Sequence, residues 1–422
     1  MMQGHNNQKE IPDGLYDELG LRVYQRYYVK NKIKRIYEKY GFIPAISPTI
    51  EFSETFKGHH GAGESLQFQL TDKMGESLVL RYDLTVPMAR NVRSLHLDGI
   101  FKRYQIASSF RDDSVDLGHL REFTQCDADI TGSDSAIIDT EIIIIIDEII
   151  NTLKIPNIEI SLNHRGILYG IAIESEIHDK RKIYDMQCAI DETDNITTGN
   201  IYTLENNLLK NGFTNTQINN ICKNILEIYE ENAFDSMERL MLKYKKNINI
   251  HSALERLKEI ISLLPSSVLN NLKLDPTLAR GANYYTGFII EAAAKKSDIG
   301  AIIGGGRYDE LISTITSKQE HSCPAAGFSF GLERVMILLE KNKLLPDHDT
   351  STSSETILLA RHPGVSNNQF IKFSSKLRKK FKVYTYYDPI KTSKDINIHT
   401  FGLEFKRCII LKASGETCTV LL

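Results

Sequence analysis

Strand-like runs in the first 130 residues constrain the fold more than any other feature of this chain. They read SLQFQLTD, SLVLRYDL, IFKRYQIASSFR and REFTQCDADITG, and the turns between them are short. Parallel strands need a crossover of a dozen or more residues, usually a helix, whereas antiparallel strands join through short turns. The pattern therefore predicts an α+β fold built on an antiparallel sheet rather than a series of βαβ units.

The chain has 422 residues, which is too long for one ordinary domain. We predict a core from residues 1–162 and 275–345, because the sheet-like texture returns after a helical, Asn-, Ile- and Lys-rich insertion at 163–274. A Ser- and Thr-rich linker at 346–355 precedes a terminal unit at 356–422, where strands alternate with helices. That unit is expected to be a small α/β domain.

Composition and charge narrow the class of protein. The net charge is −3, so any contact with RNA has to be local. Six scattered cysteines form no CxxC pair, which indicates neither a zinc site nor disulfides and favours a cytoplasmic location. The N-terminus lacks an apolar leader, and EIIIIIDEII (141–150) is shorter than the ~20 apolar residues of a membrane span. We expect no membrane contact and a buried helix at 134–153, capped by Ser133 or Asp134.

Positive side chains at strand and turn positions indicate a phosphate site. Forked guanidinium groups match phosphate oxygens, and a nucleoside triphosphate needs several of them. No Walker motif or GxGxxG is present to do this with a glycine-rich loop. Each cation alone is more often a structural residue. The candidates are Arg111, His119, Arg280 and Arg334.

Ordered motifs around these residues change that balance. SSFRDDSVDLGHLREFTQCDAD and GFSFGLERVMILLE resemble the second and third signature motifs of class II aminoacyl-tRNA synthetases. ARGANYYTG and GGGRYDELI resemble two signatures of the histidyl-tRNA synthetase family, and LRYDLTVPMAR and QCDAD resemble its eukaryote- and archaeal-type form. The resemblance implies a class II sheet flanked by helices and an α/β anticodon-binding-like domain at the C-terminus.

The resemblance also implies roles in ATP-dependent activation of histidine. Arg280 would bridge the histidine carboxylate and the α-phosphate as an electrophilic catalyst, and Arg111 would hold the α-phosphate. His119 and Arg334 would approach the γ-phosphate, Phe123 would stack on adenine, and Asp113 completes the ATP site. The expected histidine-binding residues are Asp83 and Thr85 for the α-amino group, Asp129 and Tyr285 for the imidazole, and Gln125, Tyr284 and Tyr308 for the same pocket. No metal-ligating residue is expected.

The sequence departs from the family pattern in three places. The loop DDSVDLGH carries three aspartates, which would repel phosphates unless Mg²⁺ lies between them. Ala282 and Asn283 replace the usual Leu-Asp pair. The C-terminal domain is expected to be shortened, although its run KLRKKFK is compatible with RNA.

These features lead to one main prediction and two alternatives. The main prediction is a histidine–tRNA ligase that uses ATP and Mg²⁺ to join L-histidine to tRNA(His). The segment GFIPAISPTIEF resembles the family's dimer-forming motif, so a homodimer is expected. The alternatives are a histidine-sensing paralogue of the ATP phosphoribosyltransferase regulatory type and an adenylating enzyme with an acceptor other than tRNA.

Overall fold

The fold is taken from a computed structural model that divides into two compact units. Residues described are 11–59, 61–95, 97, 99–193, 201–230, 237–279, 284–295, 297–315, 323–347, 356–396, 405 and 407–421. Unit 1 comprises Met1–Leu15 and Lys32–Asn342, and unit 2 comprises Tyr16–Asn31 and Lys343–Leu422. None of the helices within these described stretches is both long and apolar enough to cross a bilayer.

The first part of the chain contains most of the strands predicted from the sequence. Its elements are α1 (Leu21–Lys39), whose residues are divided between the two units, β1 (Ile43–Pro44), β2 (Ile50–Phe52), α2 (Ser53–Phe56), β3 (Gln69–Thr71), β4 (Ser77–Leu80), α3 (Thr85–Ser94), β5 (Phe101–Phe110), β6 (Glu122–Thr131), α4 (Ala136–Leu153) and β7 (Ile158–His164).

A helical region follows and then gives way to strands again. Its helices are α5 (Arg165–Glu174), α6 (Lys180–Asp191), α7 (Ile201–Lys210), α8 (Asn215–Glu230), α9 (Met237–Lys243), α10 (Ile248–Ser262) and α11 (Ser266–Leu269). The last elements of unit 1 are β8 (Leu272–Leu274), β9 (Phe288–Ala294), β10 (Ala301–Arg307), α12 (Leu311–Thr314), β11 (Ala325–Gly331) and α13 (Leu332–Lys341).

An eight-stranded sheet forms the centre of unit 1. Its order is β1-β5-β6-β11-β10-β9-β7-β8, and β2, β4 and β3 form a separate small sheet. The six central strands pair antiparallel, which confirms the predicted sheet. The two edges differ, because β1 pairs parallel with β5 and β8 pairs parallel with β7. A long stretch of chain separates the two strands of each parallel pair, as parallel pairing requires.

The isoleucine-rich run forms the predicted helix, with a different cap. Helix α4 buries Ile142, Ile143, Ile145, Ile146 and Ile149 completely. Its cap is Ser135, whose side chain accepts a hydrogen bond from the Ile137 amide at 3.2 Å. The predicted caps Ser133 and Asp134 were wrong by one or two residues, because the backbone becomes helical only at Ala136.

One face of the central sheet carries buried polar side chains, and this face positions the site. Successive residues of a strand point to opposite faces, so Gln125, Asp127 and Asp129 of β6 share one face. All three are at most 9% exposed. Gly327 of β11 pairs with Asp129, and a Cβ on this glycine would overlap the Asp129 carboxylate. A glycine is therefore required where β11 crosses this polar face.

Unit 2 has the alternation of strands and helices that the sequence indicates. Its elements are β12 (Thr356–Arg361), α14 (Asn367–Leu377), β13 (Lys382–Pro389), β14 (Arg407–Leu411) and β15 (Thr417–Leu421), in the sheet order β13-β12-β14-β15. Between β13 and β14, where the alternation predicts a further helix, the described residues contain a 3-10 turn at Ser393–Asp395, and 397–404 lie outside the described residues. Ser366 caps α14 in a capping box with Gln369.

Candidate active site

A cavity of about 430 Å³ in unit 1 gathers most of the predicted site. Its wall includes Arg111 and all of the predicted histidine-binding residues except Asp129, namely Asp83, Thr85, Gln125, Tyr284, Tyr285 and Tyr308. They come from α3 and its preceding loop, from the residue after β5, from β6, and from the segments before β9 and after β10. Residues far apart in sequence thus converge on one concave site with convergent polar groups, as in most small-molecule sites.

Asp83 stands at the entrance to α3 and is held there by the helix. Its Oδ1 accepts a hydrogen bond from the Val86 amide at 3.0 Å, which stabilises the first turn of α3. Its Oδ2 faces the Tyr284 hydroxyl at 3.5 Å. The residue is 3% exposed and lines the cavity, so its carboxylate is a fixed negative group in a poorly solvated site. Such a group suits a ligand ammonium.

Asp129 lies beneath the cavity wall, with partners on both sides. Arg103 Nη2 is 2.7 Å from Asp129 Oδ2, and both side chains are 2% exposed. The Tyr308 hydroxyl donates to Asp129 Oδ1. Arg103 Nη2 also donates to the Leu84 carbonyl at 2.7 Å, beside the start of α3. Asp129 therefore reaches the cavity through Tyr308, and a continuous polar chain joins the floor to the Asp83 side.

Burial changes the protonation of this floor. The pKa of Asp127 is raised well above its usual range, first by burial and then by the negative charge of Asp129, while Arg103 lowers it in part. The pKa of Asp129 is also raised by burial, against the opposing effects of Arg103 and Tyr308. Burial and the Asp129 carboxylate raise the pKa of the Tyr308 hydroxyl, which therefore stays protonated and donates.

Gln125 and Tyr308 are each fixed by further contacts. Ser109 Oγ donates to Gln125 Oε1 at 2.5 Å, across the β5–β6 pair. Arg307, the residue before Tyr308, donates from Nη2 to buried Asp139 of α4 at 2.7 Å. Arg256 of α10 binds the other oxygen of Asp139 at 2.8 Å. Two arginines thus neutralise one fully buried carboxylate, as a buried ion pair requires.

Arg111 lies between two aromatic rings at the edge of the cavity. Its guanidinium carbon is 4.2 Å from the Tyr82 ring centre and 4.9 Å from the Phe123 ring centre. Its Nε is buried without a hydrogen-bond partner among the described residues. A guanidinium with an unused buried donor is suited to an anion. Arg111 lies over the ring of Phe123, the residue on which adenine is predicted to stack.

His119 and Arg334 are brought together outside the cavity wall. Arg334 Nη2 is 2.5 Å from His119 Nε2, and His119 Nδ1 is 2.5 Å from Asp116 Oδ1. Since a guanidinium only donates, this arrangement requires Nε2 to accept and Nδ1 to carry the proton. Arg334 also donates to the carbonyls of Gly118 and Ala301, at 3.1 Å and 2.6 Å.

The acidic loop before His119 contains ion-pair and hydrogen-bond partners for its own carboxylates. Asp112 Oδ1 pairs with Arg121 Nη2 at 3.2 Å, and Asp116 pairs with His119. Asp113 Oδ1 accepts from the Ser114 amide at 2.7 Å and does not line the cavity. Two of the three aspartates therefore have a basic partner within the loop.

Arg280, the predicted electrophilic catalyst, lies outside the described residues, together with Ala282 and Asn283. The flanking residues Ala279 and Tyr284 are described, and Tyr284 lines the cavity. The role of Arg280 stays a prediction from the sequence.

Sequence reasoning missed one wall of the cavity. Tyr184, Cys188 and Asp191 of α6 line it, together with Glu192, which follows the helix. Their spacing of four and three residues places them on one helical face, and this polar stripe was the only available signal. Arg103 was missed too, because its partner Asp129 becomes a neighbour only through the β5–β6 register.

Comparisons with known proteins agree with the geometry. The family model described as Histidyl-tRNA synthetase matches residues 14–335. Histidine–tRNA ligase of Azobacteroides pseudotrichonymphae genomovar. CFP2 is 32% identical over 388 residues, 86% of this chain and 81% of that relative. The crystal structure of histidyl-tRNA synthetase from Nostoc sp. PCC 7120 matches with a TM-score of 0.72 and 25% identity, over 99% of this chain and 97% of that one.

A second solved structure shares the fold alone. It is described as an ATP phosphoribosyltransferase regulatory subunit/histidyl-tRNA synthetase from Bacillus halodurans C. The match has a TM-score of 0.68 at 18% identity and covers 92% of this chain and 96% of that one.

Proposed function

The chain belongs to the histidyl-tRNA synthetase family and is a histidine–tRNA ligase, and we propose that the cavity of unit 1 is where it activates histidine. The observation that carries this proposal is the convergence of Asp83, Gln125, Tyr285, Tyr308 and Arg111 on one cavity. The proposed substrates are L-histidine, ATP and tRNA(His).

The proposed reaction joins the histidine carboxylate to the α-phosphate of ATP and releases pyrophosphate. Asp83 holds the α-ammonium group, which turns the carboxylate towards Arg111. Arg111 neutralises the two anions that have to meet, since its Nε has no hydrogen-bond partner among the described residues and two rings fix its position at the cavity edge. Tyr308 and Tyr285 face the imidazole, with Asp129 behind Tyr308. Arg280 is proposed to contribute a second positive charge at the same anions.

His119 and Arg334 are proposed to bind the terminal phosphate, and Phe123 the adenine. This requires the His119–Arg334 contact to open. Mg²⁺ is proposed only as the ion that accompanies ATP. The described residues hold no group of three or more His, Cys, Asp or Glu side chains that could ligate a metal.

A homodimer is proposed through the segment 43–52. Four apolar side chains of this segment are at least half exposed, which is typical of an interface: Ile43 at 53%, Ile46 at 93%, Ile50 at 50% and Phe52 at 56%. Light scattering should give twice the 47.9 kDa chain mass. A mass of one chain at micromolar concentration would contradict the dimer. A cytoplasmic location is proposed as well, because tRNA is charged where translation takes place.

The experiment that tests the function is histidine-dependent ATP–pyrophosphate exchange, with charging of tRNA(His) run on the same preparation. Both activities are expected, and both should collapse in Arg280→Ala. Exchange without charging would indicate an acceptor other than tRNA. Histidine binding without exchange would contradict the enzyme and leave a histidine sensor with a synthetase fold.

A further inference from the structure

The junction between β7 and α5 is joined to the wall of the cavity that carries Tyr284 and Tyr285, which we call the tyrosine wall. Arg165 begins α5, and its amide donates to the Gly287 carbonyl at 2.9 Å. The register of β7 and β9 places His164 opposite Phe288. The Arg165 side chain is largely enclosed, with the residue 8% exposed. Its guanidinium is therefore fixed next to the segment that leads from Tyr285 into β9.

The guanidinium of Arg165 binds three separate parts of unit 1. Nη1 donates to the Ala279 carbonyl at 3.0 Å, and Nε donates to the Tyr285 carbonyl at 3.3 Å. Nη1 also donates to Gln187 Oε1 of α6 at 2.7 Å. The two carbonyls flank the stretch 280–283, and Gln187 belongs to the helical region. A single side chain thus joins Ala279 and Tyr285, on either side of this stretch, to helix α6.

Helix α6 is itself a wall of the cavity. Tyr184, Cys188 and Asp191 line it, and Gln187 lies between them in sequence, turned towards Arg165. Burial lowers the pKa of Arg165 while the Asp191 carboxylate raises it, and a guanidinium keeps its charge at neutral pH in either case. The Arg165–Gln187 contact links the α6 wall to the tyrosine wall.

We propose that Arg165 is a positioning residue that holds the tyrosine wall at a fixed distance from helix α6 through Gln187, and thereby sets the affinity for histidine. The inference rests on the proposed function of the cavity. Arg165 does not line the cavity, so it acts through Tyr285 and α6 rather than on the substrate. A lysine cannot replace it, because one ammonium group lacks the fork that reaches two carbonyls and an amide at once.

The test uses Gln187→Met, which keeps the length of the side chain and removes its acceptor. Gln187 is partly buried, so this variant leaves the carbonyl contacts of Arg165 in place. We expect the KM for histidine in pyrophosphate exchange to rise about 10-fold, because small displacements of a binding wall weaken the fit. The KM for ATP and kcat should stay within about 2-fold.

Lys182→Met is the matched control on the same helix. Lys182 donates to the Asn211 carbonyl at 2.7 Å, and it is not part of the cavity wall. Its loss should leave the KM for histidine unchanged. Arg165→Lys should raise that KM at least as much as Gln187→Met. The double variant should have the same KM as Arg165→Lys alone, because the contact with Gln187 is already lost in Arg165→Lys.

Two results would overturn the inference. One is a KM for histidine that stays unchanged in Gln187→Met. The other is a lower kcat and a lower fraction of active sites, measured by the burst of adenylate formation, at unchanged KM, which would mark a structural role only.

A wild-type protein without exchange activity would contradict the proposed function, and calorimetric titration with histidine would then test the inference separately. A dissociation constant about 10-fold higher in Gln187→Met but not in Lys182→Met supports the inference. Equal constants overturn it, and a wild-type protein that binds no histidine overturns both proposals.

Discussion

The amino-acid side and the phosphate side of the site differ in how their charges are held. On the amino-acid side, Arg103, Asp129 and Tyr308 are buried and joined to one another. On the phosphate side, His119 is 49% exposed at its side chain and Arg334 contacts it across the surface. Arg111, between the two sides, has a donor without a hydrogen-bond partner among the described residues.

This difference indicates which part of the site is formed by folding and which part forms on ligand binding. Charges in a buried, poorly solvated interior are restricted to one arrangement, because an unpaired charge there is costly. Exposed ion pairs contribute little and exchange easily with solvent or ligand. We infer that the histidine pocket is formed by folding, whereas the phosphate contacts are completed when ATP binds. Variants of the two sides should therefore differ in stability and in activity.

The largest expected effect is on stability, in Arg103→Met. This change leaves Asp129 without its cation at a position that is 2% exposed. Breaking a buried pair should lower the free energy of unfolding by about 3–5 kcal/mol. Arg121→Met at the exposed Asp112–Arg121 pair is the control and should cost at most about 1 kcal/mol. Equal losses in urea unfolding would remove the contrast between the two sides.

Arg111→Gln should reduce catalysis and leave folding intact. The guanidinium is proposed to neutralise the carboxylate and the α-phosphate as they meet. Removing one such donor should lower the rate of histidine-dependent exchange by about 10²–10³-fold. The melting temperature should be unchanged, since the ring contacts of Arg111 are at the cavity edge. An exchange rate within about 3-fold of wild type would assign the anion site to other residues.

The buried floor should make stability depend on pH through Asp127. Its pKa is raised from 3.8 to about 8, so between these values the folded protein holds a proton that the unfolded chain releases. Stability from this residue is therefore present at low pH and is lost as pH rises towards 8, at up to about 1.4 kcal/mol per pH unit. Asp127→Asn should remove this part of the slope in unfolding curves from pH 5 to 8. A slope identical to wild type would show that Asp127 is ionised in the folded protein.

The smallest effect is expected on the phosphate side, in Asp116→Asn. Asp116 orients the His119 ring at a site where both side chains are about half exposed, at 59% and 49%. An exposed pair is worth about 0–1 kcal/mol, so the KM for ATP should rise by no more than about 5-fold. The KM for histidine should not change. A change in the KM for histidine as large as that for ATP would mean that the two sides are not independent.

The sequence predicted the central sheet because alternation and short turns are local properties. It also predicted α4, because a run of isoleucines is favourable only where it is buried in a core. The exact cap was missed because Ser133, Asp134 and Ser135 are all good caps, and only the packed backbone selects Ser135.

The cavity-lining residues that could be predicted are those that lie in a recognisable motif, such as Asp83, Gln125 and Tyr308. The partnership of Arg103 with Asp129 could not be predicted, since strand register decides it and β5 is separated from β6 by the acidic loop. The wall formed by α6 could not be predicted either, because the helical region carries no recognised motif. Long-range packing brings Tyr184 and Cys188 to the cavity, and no local pattern encodes that.

Calorimetric titration of the wild-type protein with L-histidine in the absence of ATP measures whether the histidine pocket forms without ATP. Asp83→Asn serves as the paired variant, because the asparagine oxygen still accepts from the Val86 amide but the charge for the α-ammonium group is lost. We predict one histidine bound per chain without ATP, and affinity at least about 10-fold lower in the variant. Histidine binding that appears only when ATP is present, or that is unaffected by Asp83→Asn, would contradict a preformed histidine pocket in this cavity.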